Sequence, residues 1–170
     1  MTANYSVEAP ELKECRVCKE VLPINAFEIT NKINKIYFRN ECRSCRNRGK
    51  EKNISKTPQS FISYLYTGIK NKRKKTHIIT ITREELIDKY QEQSGRCAMT
   101  GVQLTHIKDG TGKHDTNISV DRIDNDEGYT KDNVWLVCHV VNMMKNTMHL
   151  EDLLLWCELI YKNRNSYEKE

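Results

Sequence analysis

Asn117-Ile118-Ser119-Val120-Asp121-Arg122-Ile123-Asp124, then Gly128-Tyr129, then Asn133-Val134-Trp135-Leu136-Val137-Cys138-His139, and finally Asn142 and Lys145, is the stretch on which the fold turns. Apolar and polar residues alternate over 117–123, the period of a half-buried strand. Residues 124–130 have turn composition around Gly128, and Val134–Val137 is a short apolar run suited to a returning strand. From His139 the period changes: Val140, Val141, Met143, Met144 and Met148 recur at helical spacing. A hairpin followed at once by a helix is the expectation, with a core over about residues 116–148.

Working outward, residues 150–162 predict a last helix packing Leu153, Leu154, Trp156, Cys157 and Ile160 into the core. Upstream lies a polar loop over 105–116. Before it, Thr82 and Glu85 form a capping-box pattern ahead of a helix bearing Leu86, Ile87 and Tyr90. Phe61, Ile62, Leu65, Tyr66 and Ile69 predict another amphipathic helix, which runs into Lys70, Lys72, Arg73, Lys74 and Lys75. Residues 51–58 read as a polar linker ending at Thr57-Pro58. Residues 11–50 form a separate module with a turn at Leu22-Pro23 and a β-like stretch at 35–39.

Cysteine spacing explains that module. Cys15 and Cys18 make one Cys-x-x-Cys pair, and Cys42 and Cys45 make another. Each pair can turn back onto one ion, and four thiolates suit one structural Zn²⁺ at about 2.3 Å. A segment this short has too little core to fold unaided, so the ion would supply much of its stability.

The chain of 170 residues carries a net charge of +5 from 28 basic and 23 acidic residues. Residues 1–75 hold 17 Lys and Arg against 7 Asp and Glu, and residues 76–170 hold 11 against 16. A basic half suits a polyanion, and a mildly acidic half suits divalent cations. Arg43, Arg46 and Arg48, after the second cysteine pair, and the run Lys70, Lys72, Arg73, Lys74 and Lys75 are the candidate phosphate contacts. No apolar run approaches the roughly 20 residues of a membrane span, and residues 1–10 lack a signal-peptide core. The expectation is an intracellular, non-membrane protein.

Asp121-Arg122-Ile123-Asp124, Gly128-Tyr129, Asn133, Asn142 and Lys145, preceded by Gly95-Arg96-Cys97-Ala98-Met99-Thr100-Gly101, resemble the ββα-metal motif of the HNH endonucleases, phage type. The twin Cys-x-x-Cys module and the Asp-Arg…Gly-Tyr pattern resemble the compact restriction enzymes of that family. The resemblance implies an α+β fold: a ββα-metal nuclease core with flanking helices over residues 59–163, and a small N-terminal Cys₄ zinc module. It implies cleavage of double-stranded DNA with one catalytic Mg²⁺ or Mn²⁺, and a viral or mobile-element setting. Asp121 and Asn142 would hold the ion; two oxygen ligands with waters suit Mg²⁺ or Mn²⁺ better than Zn²⁺. Lys145, one helical turn beyond Asn142, would meet a phosphate, and Asn133 would brace the hairpin.

Two positions depart from the family. The residue after the metal Asp is usually the general base His; here it is Arg122, whose guanidinium accepts no proton at neutral pH. Tyr129, His139 and His114 are the candidate replacements, with Tyr129 favoured and Arg122 holding its phenolate or the scissile phosphate. The positions of a second structural zinc in that family are Cys97 with Thr100 and Cys138 with Val141, so only half of each pair is present and no second Cys₄ site is expected. Cys97, Cys138 and Cys157 then read as buried apolar side chains. Two other readings compete: a nuclease-derived, zinc-containing DNA-binding protein that no longer cleaves, and a zinc-module adaptor whose helices bind protein. The recognition sequence, nicking or double-strand cutting, monomer or homodimer, and a homing, restriction or packaging role are left open by these residues.

Overall fold

A computed structural model describes residues 11–32 and 35–166. Among the described residues it is a mixed α and β protein with five α-helices and three two-stranded antiparallel sheets. The chain divides into two units, residues 1–52 and 53–170.

In the first unit, β1 (Leu12–Glu14) pairs with β2 (Val21–Pro23), and β3 (Phe27–Lys32) pairs with β4 (Lys35–Cys42). The turn expected at Leu22-Pro23 is instead the end of β2, where proline's missing N–H leaves no ladder bond broken. The chain reverses at 15–20: the Cys15 N–H bonds Glu20 O, and the Lys19 N–H returns to Cys15 O, both at 2.9 Å. Lys19 takes a positive φ of 64° to complete that reversal. Helix α1 (Arg43–Ile54) follows β4 directly. The predicted linker is thus helical over 51–54, because Glu51 and Lys52 favour helix and the first breaker is Pro58. Among the described residues of this unit, the buried ones are Phe27 and three of the four cysteines.

The second unit begins its core with α2 (Pro58–Arg73), where Thr57 Oγ1 accepts from the Ser60 N–H at 3.1 Å and Pro58 occupies the first turn. Helix α3 (Arg83–Glu92) carries the expected capping box. Glu85 Oε2 accepts from the Thr82 N–H at 2.9 Å, and Thr82 Oγ1 from the Glu85 N–H at 3.2 Å. Strands β5 (Ile118–Arg122) and β6 (Val134–Cys138) form the hairpin, with Asp121 opposite Trp135, and α4 (His139–Lys145) follows without a gap. Helix α4 stops short of the predicted Met148 because Asn146 turns to a φ of 46°. Phe61, Ile62, Ile81, Leu86, Leu104, Val134, Leu136 and Val141 form the core together with Cys97 and Cys138, which are buried there as expected.

Gly128 is required by a close approach. Tyr129 forms a parallel bridge with Ile79, its N–H bonds Ile78 O at 2.8 Å, and its carbonyl accepts from the Thr80 and Ile81 N–H groups. A Cβ at position 128 would collide with the Ile78 carbonyl oxygen. The turn of the hairpin is thereby laced to the segment leaving α2.

Helix α5 (Leu150–Lys162) has the predicted bounds but not the predicted packing. Leu153 is its buried residue, whereas Leu154 and Trp156 are more than half exposed and Cys157 is half-buried. Periodicity detects an apolar stripe; it does not say whether the rest of the chain covers it. Among the described residues no helix is long and apolar enough to cross a membrane.

Candidate functional site

The first unit gathers Cys15, Cys18, Cys42 and Cys45 so that all four sulfurs lie within 4.8 Å of one another. Sulfurs about 2.3 Å from one zinc would sit about 3.8 Å apart, so the cluster fits a tetrahedral ion. The Cys42 N–H points at Cys15 Sγ at 3.3 Å, and the Cys45 N–H at Cys42 Sγ at 3.5 Å. The Cys42 N–H and then the Cys18 N–H hold the Cys15 thiol well below its ordinary value, at about 6. The Glu20 N–H also lowers Cys18, but burial and the neighbouring sulfurs of Cys15, Cys45 and Cys42 push it up to about 12. One thiolate is welcome here and four need a cation. Arg48 Nη2 lies 3.2 Å from Cys45 Sγ, adding positive charge beside the sulfurs.

That contact changes the expected role of the α1 arginines. Arg48 is turned onto a sulfur, and Arg46 sits 3.2 Å from Glu28, which also attracts Arg39 and Lys50. Among the described residues Arg43 keeps no carboxylate partner within 4 Å.

In the second unit the hairpin and α4 build one polar constellation. Ser119 and Asp121, two apart on β5, share a face. Asn142 and Lys145, three apart on α4, share the helix face turned to it. Asn142 Nδ2 donates to Ser119 Oγ at 2.7 Å and to Val120 O at 3.4 Å, leaving Oδ1 with no donor among the described residues. Asp121 is buried, at 4% exposure, and its Oδ2 accepts from Trp135 Nε1 at 2.8 Å across the strand pair.

Lys145 is completely buried. Its ammonium lies 3.5 and 3.4 Å from the two Asp121 oxygens, and it donates to Arg122 O at 2.7 Å and to Asn125 Oδ1 at 3.3 Å. The expected contact of Lys145 with a phosphate does not fit this placement, because no surface of its head reaches solvent. Helical spacing located its face correctly but said nothing of its depth.

Asn133 spans the turn: Nδ2 donates to Asp124 O and Gly128 O, both at 2.9 Å, and Oδ1 accepts from the Asp124 N–H at 2.8 Å. Arg122 Nη1 donates to the carbonyls of Asn125 at 2.6 Å and Glu127 at 2.8 Å, and the guanidinium lies 5.4 Å from the Tyr129 ring centre. Tyr129 is itself 8% exposed. Its ring meets His77 edge-on, with centroids 5.6 Å apart.

A cleft of about 910 Å³ opens over this constellation. Asp121, Arg122, Tyr129, His139 and Asn142 line it on the hairpin side, and Lys72 and Arg73 line it from α2. Sequence reasoning missed two residues of the same cleft, Lys113 and His77. Neither belongs to a recognisable motif; the signal available for His77 was its position just after the basic run. Three residues of the basic run do not line the cleft: Lys70, which rides 5.9 Å over the Tyr66 ring, and Lys74 and Lys75 in the turn after α2. His114 does not line it either, and its Nε2 lies 3.3 Å from Asp109. Burial, followed by Lys113, lowers the His139 pKa. Among the described residues Lys72, Arg73, Lys113 and Arg122 have no carboxylate within ion-pair distance, whereas the one cleft carboxylate, Asp121, is already matched by Lys145.

Asp124, Asp126 and His149 also approach one another within 4.8 Å at the hairpin turn. All three are exposed, and surface carboxylates commonly cluster without an ion.

No family model matches the chain, and no curated protein matches it. Among solved structures, a similarity is found to the rare-cutting HNH restriction endonuclease PacI, at 19% identity and a TM-score of 0.42, covering 88% of this chain and 94% of that chain.

Proposed function

We propose that the chain is a metal-dependent DNA endonuclease of the HNH class, its hairpin and α4 serving as the ββα-metal element. The observation that carries this reading is the cleft itself: Asp121 and the free Oδ1 of Asn142 lie in one hollow with four cations that have no carboxylate partner among the described residues. Uncompensated Lys and Arg beside an oxygen-donor pair suit a phosphodiester backbone. Asp121 and Asn142 are the residues to hold Mg²⁺ or Mn²⁺, and Cys15, Cys18, Cys42 and Cys45 to hold one Zn²⁺. A bound divalent ion would supply charge for the phosphoryl oxygens and help for the departing oxygen. Lys72, Arg73 and Lys113 would grip the flanking phosphates of double-stranded DNA. Lys145 acts from below, as the counter-ion that keeps the Asp121 carboxylate in place. Arg122 would hold the Tyr129 ring and the turn carbonyls; the proton acceptor would then come from the remaining cleft groups, among them Tyr129 and His139.

A randomised duplex pool, incubated with Mg²⁺ or Mn²⁺ and sequenced at any new ends, tests this directly. Cutting that EDTA abolishes is expected. Tight, salt-sensitive binding without cutting would favour a DNA-binding protein derived from a nuclease, a reading that Arg122 at the base position supports. Lys72→Ala with Arg73→Ala should weaken binding and flatten the slope of log K against log salt by about 1.8, at roughly 0.9 per phosphate contact. An unchanged slope would place the DNA outside this cleft.

For the first unit, one Zn²⁺ per chain should survive dialysis, and Cys15→Ser should release it and unfold residues 11–52. Cys157→Ser, on the half-exposed α5, should leave zinc content unchanged. Full zinc retention in Cys15→Ser would remove that sulfur from the site.

A further inference from the structure

We propose that His77 is the general base of the cleft, its Nε2 taking the proton of the attacking water that Arg122 cannot take. The inference rests on the nuclease reading above and assigns the step that this reading leaves open.

Three observations carry it. The first is position: His77 lines the same cleft as Asp121 and Asn142, and reaches it from the segment after α2. Its ring stands edge-on to Tyr129, whose ring is also approached by Arg122. His77 and Arg122 thus both bear on the Tyr129 ring.

The second is how the ring is anchored. His77 Nδ1 lies 2.7 Å from Thr76 Oγ1, which is also 3.2 Å from Arg73 O. In the tautomer whose Nδ1–H donates to that hydroxyl, Nε2 keeps its lone pair. Nε2 has no hydrogen-bond partner among the described residues. The Thr76 and His77 N–H groups both close on Arg73 O at 2.9 Å, which fixes the backbone that carries the ring.

The third is charge state. Burial first, then the guanidiniums of Arg122 and Arg73, lower the His77 pKa below its ordinary value. The groups bearing on the ring are Arg122 from β5, Arg73 from α2, and Tyr129 and Thr76 in contact. That direction favours the uncharged imidazole, the form that accepts a proton.

The step balances. The water oxygen bonds phosphorus, its O–H bond breaks and the proton passes to Nε2. The bond from phosphorus to the departing sugar oxygen breaks, and that oxygen takes a proton from solvent.

The test uses the full chain, the duplex pool above, and three variants: His77→Ala, His77→Gln and His139→Ala. Wild-type cutting should fall away as pH drops below about 6.5, since lowering the base's pKa moves its loss to the acid side of that value. His77→Ala and His77→Gln should cut about 100- to 10,000-fold more slowly, with DNA binding and thermal stability near wild type, and should lose that acid limb. Free imidazole should restore part of the His77→Ala rate, which a packing role for the ring would not produce. Loss of rate and limb in His139→Ala, with both kept in the His77 variants, would transfer the role to His139 and overturn the assignment. If His77→Ala does not fold, His77→Gln carries the comparison. Wild-type rates in the folded His77 variants would overturn the assignment and leave the nuclease reading standing. A wild-type protein that cuts no duplex with either metal would overturn both.

Discussion

Lys145→Met should lower the stability of residues 53–170 by about 3–5 kcal/mol, the usual cost of leaving one member of a buried ion pair alone. For a unit of this size that is a fall in Tm of roughly 10–20 °C. The cause is geometric. The ammonium is wholly buried, and Asp121 beside it is 4% exposed, so without added metal neither water nor another side-chain cation among the described residues replaces the lost charge. The same substitution strips donors from Arg122 O and Asn125 Oδ1, loosening the turn that Asn133 and Arg122 also hold. Methionine matches the length of lysine, so a cavity contributes little. Added Mg²⁺ should raise the Tm of Lys145→Met more than that of the wild type, because an ion at Asp121 and Asn142 would then be the carboxylate's main counter-charge. A drop of under 2 °C, read from fluorescence or calorimetry, would mean the pair is not formed.

How much of this was legible in the sequence differs by residue. The hairpin, the capping box at Thr82 and Glu85, and the bounds of α5 follow from local rules, which depend on neighbours within four positions. The Cys₄ cluster was legible because a two-residue spacer confines both sulfurs before any tertiary structure exists. Depth was not. Helical spacing placed Asn142 and Lys145 on one face, but the burial of Lys145 under Asp121 depends on how β5 lies against α4. Charge runs were also ambiguous: of Lys70, Lys72, Arg73, Lys74 and Lys75, the two that line the cleft are Lys72 and Arg73. Which ones do so is decided by where α2 ends, and the run itself looks uniform. His77 was invisible for a related reason. Its role depends on Tyr129, and the two meet only because Gly128 lets residues 128–129 press against Ile78 and Ile79.

Asp121→Ala should reduce metal-dependent cutting by at least about 100- to 1000-fold, the scale for losing a major electrostatic group at a reacting centre. Asn142→Ala should lose activity too, though less, since a carboxylate gives an ion a ligand and a charge whereas an amide gives only a ligand. The two variants should part company in stability. Asn142 is half-buried and its amide bonds only Ser119 Oγ and Val120 O, so its loss is a matter of about 1 kcal/mol. Asp121→Ala instead strands the buried Lys145 ammonium and frees the Trp135 indole N–H, so it should destabilise by several kcal/mol as well. Activity lost through unfolding must therefore be separated from activity lost through chemistry. The double variant Asp121→Ala with Lys145→Met does so: removing both charges should return most of the stability, because the unpaired charge is gone. The cutting rate should stay at the level of Asp121→Ala alone. If the double variant regained wild-type cutting, Asp121 would be a structural partner of Lys145 and nothing more.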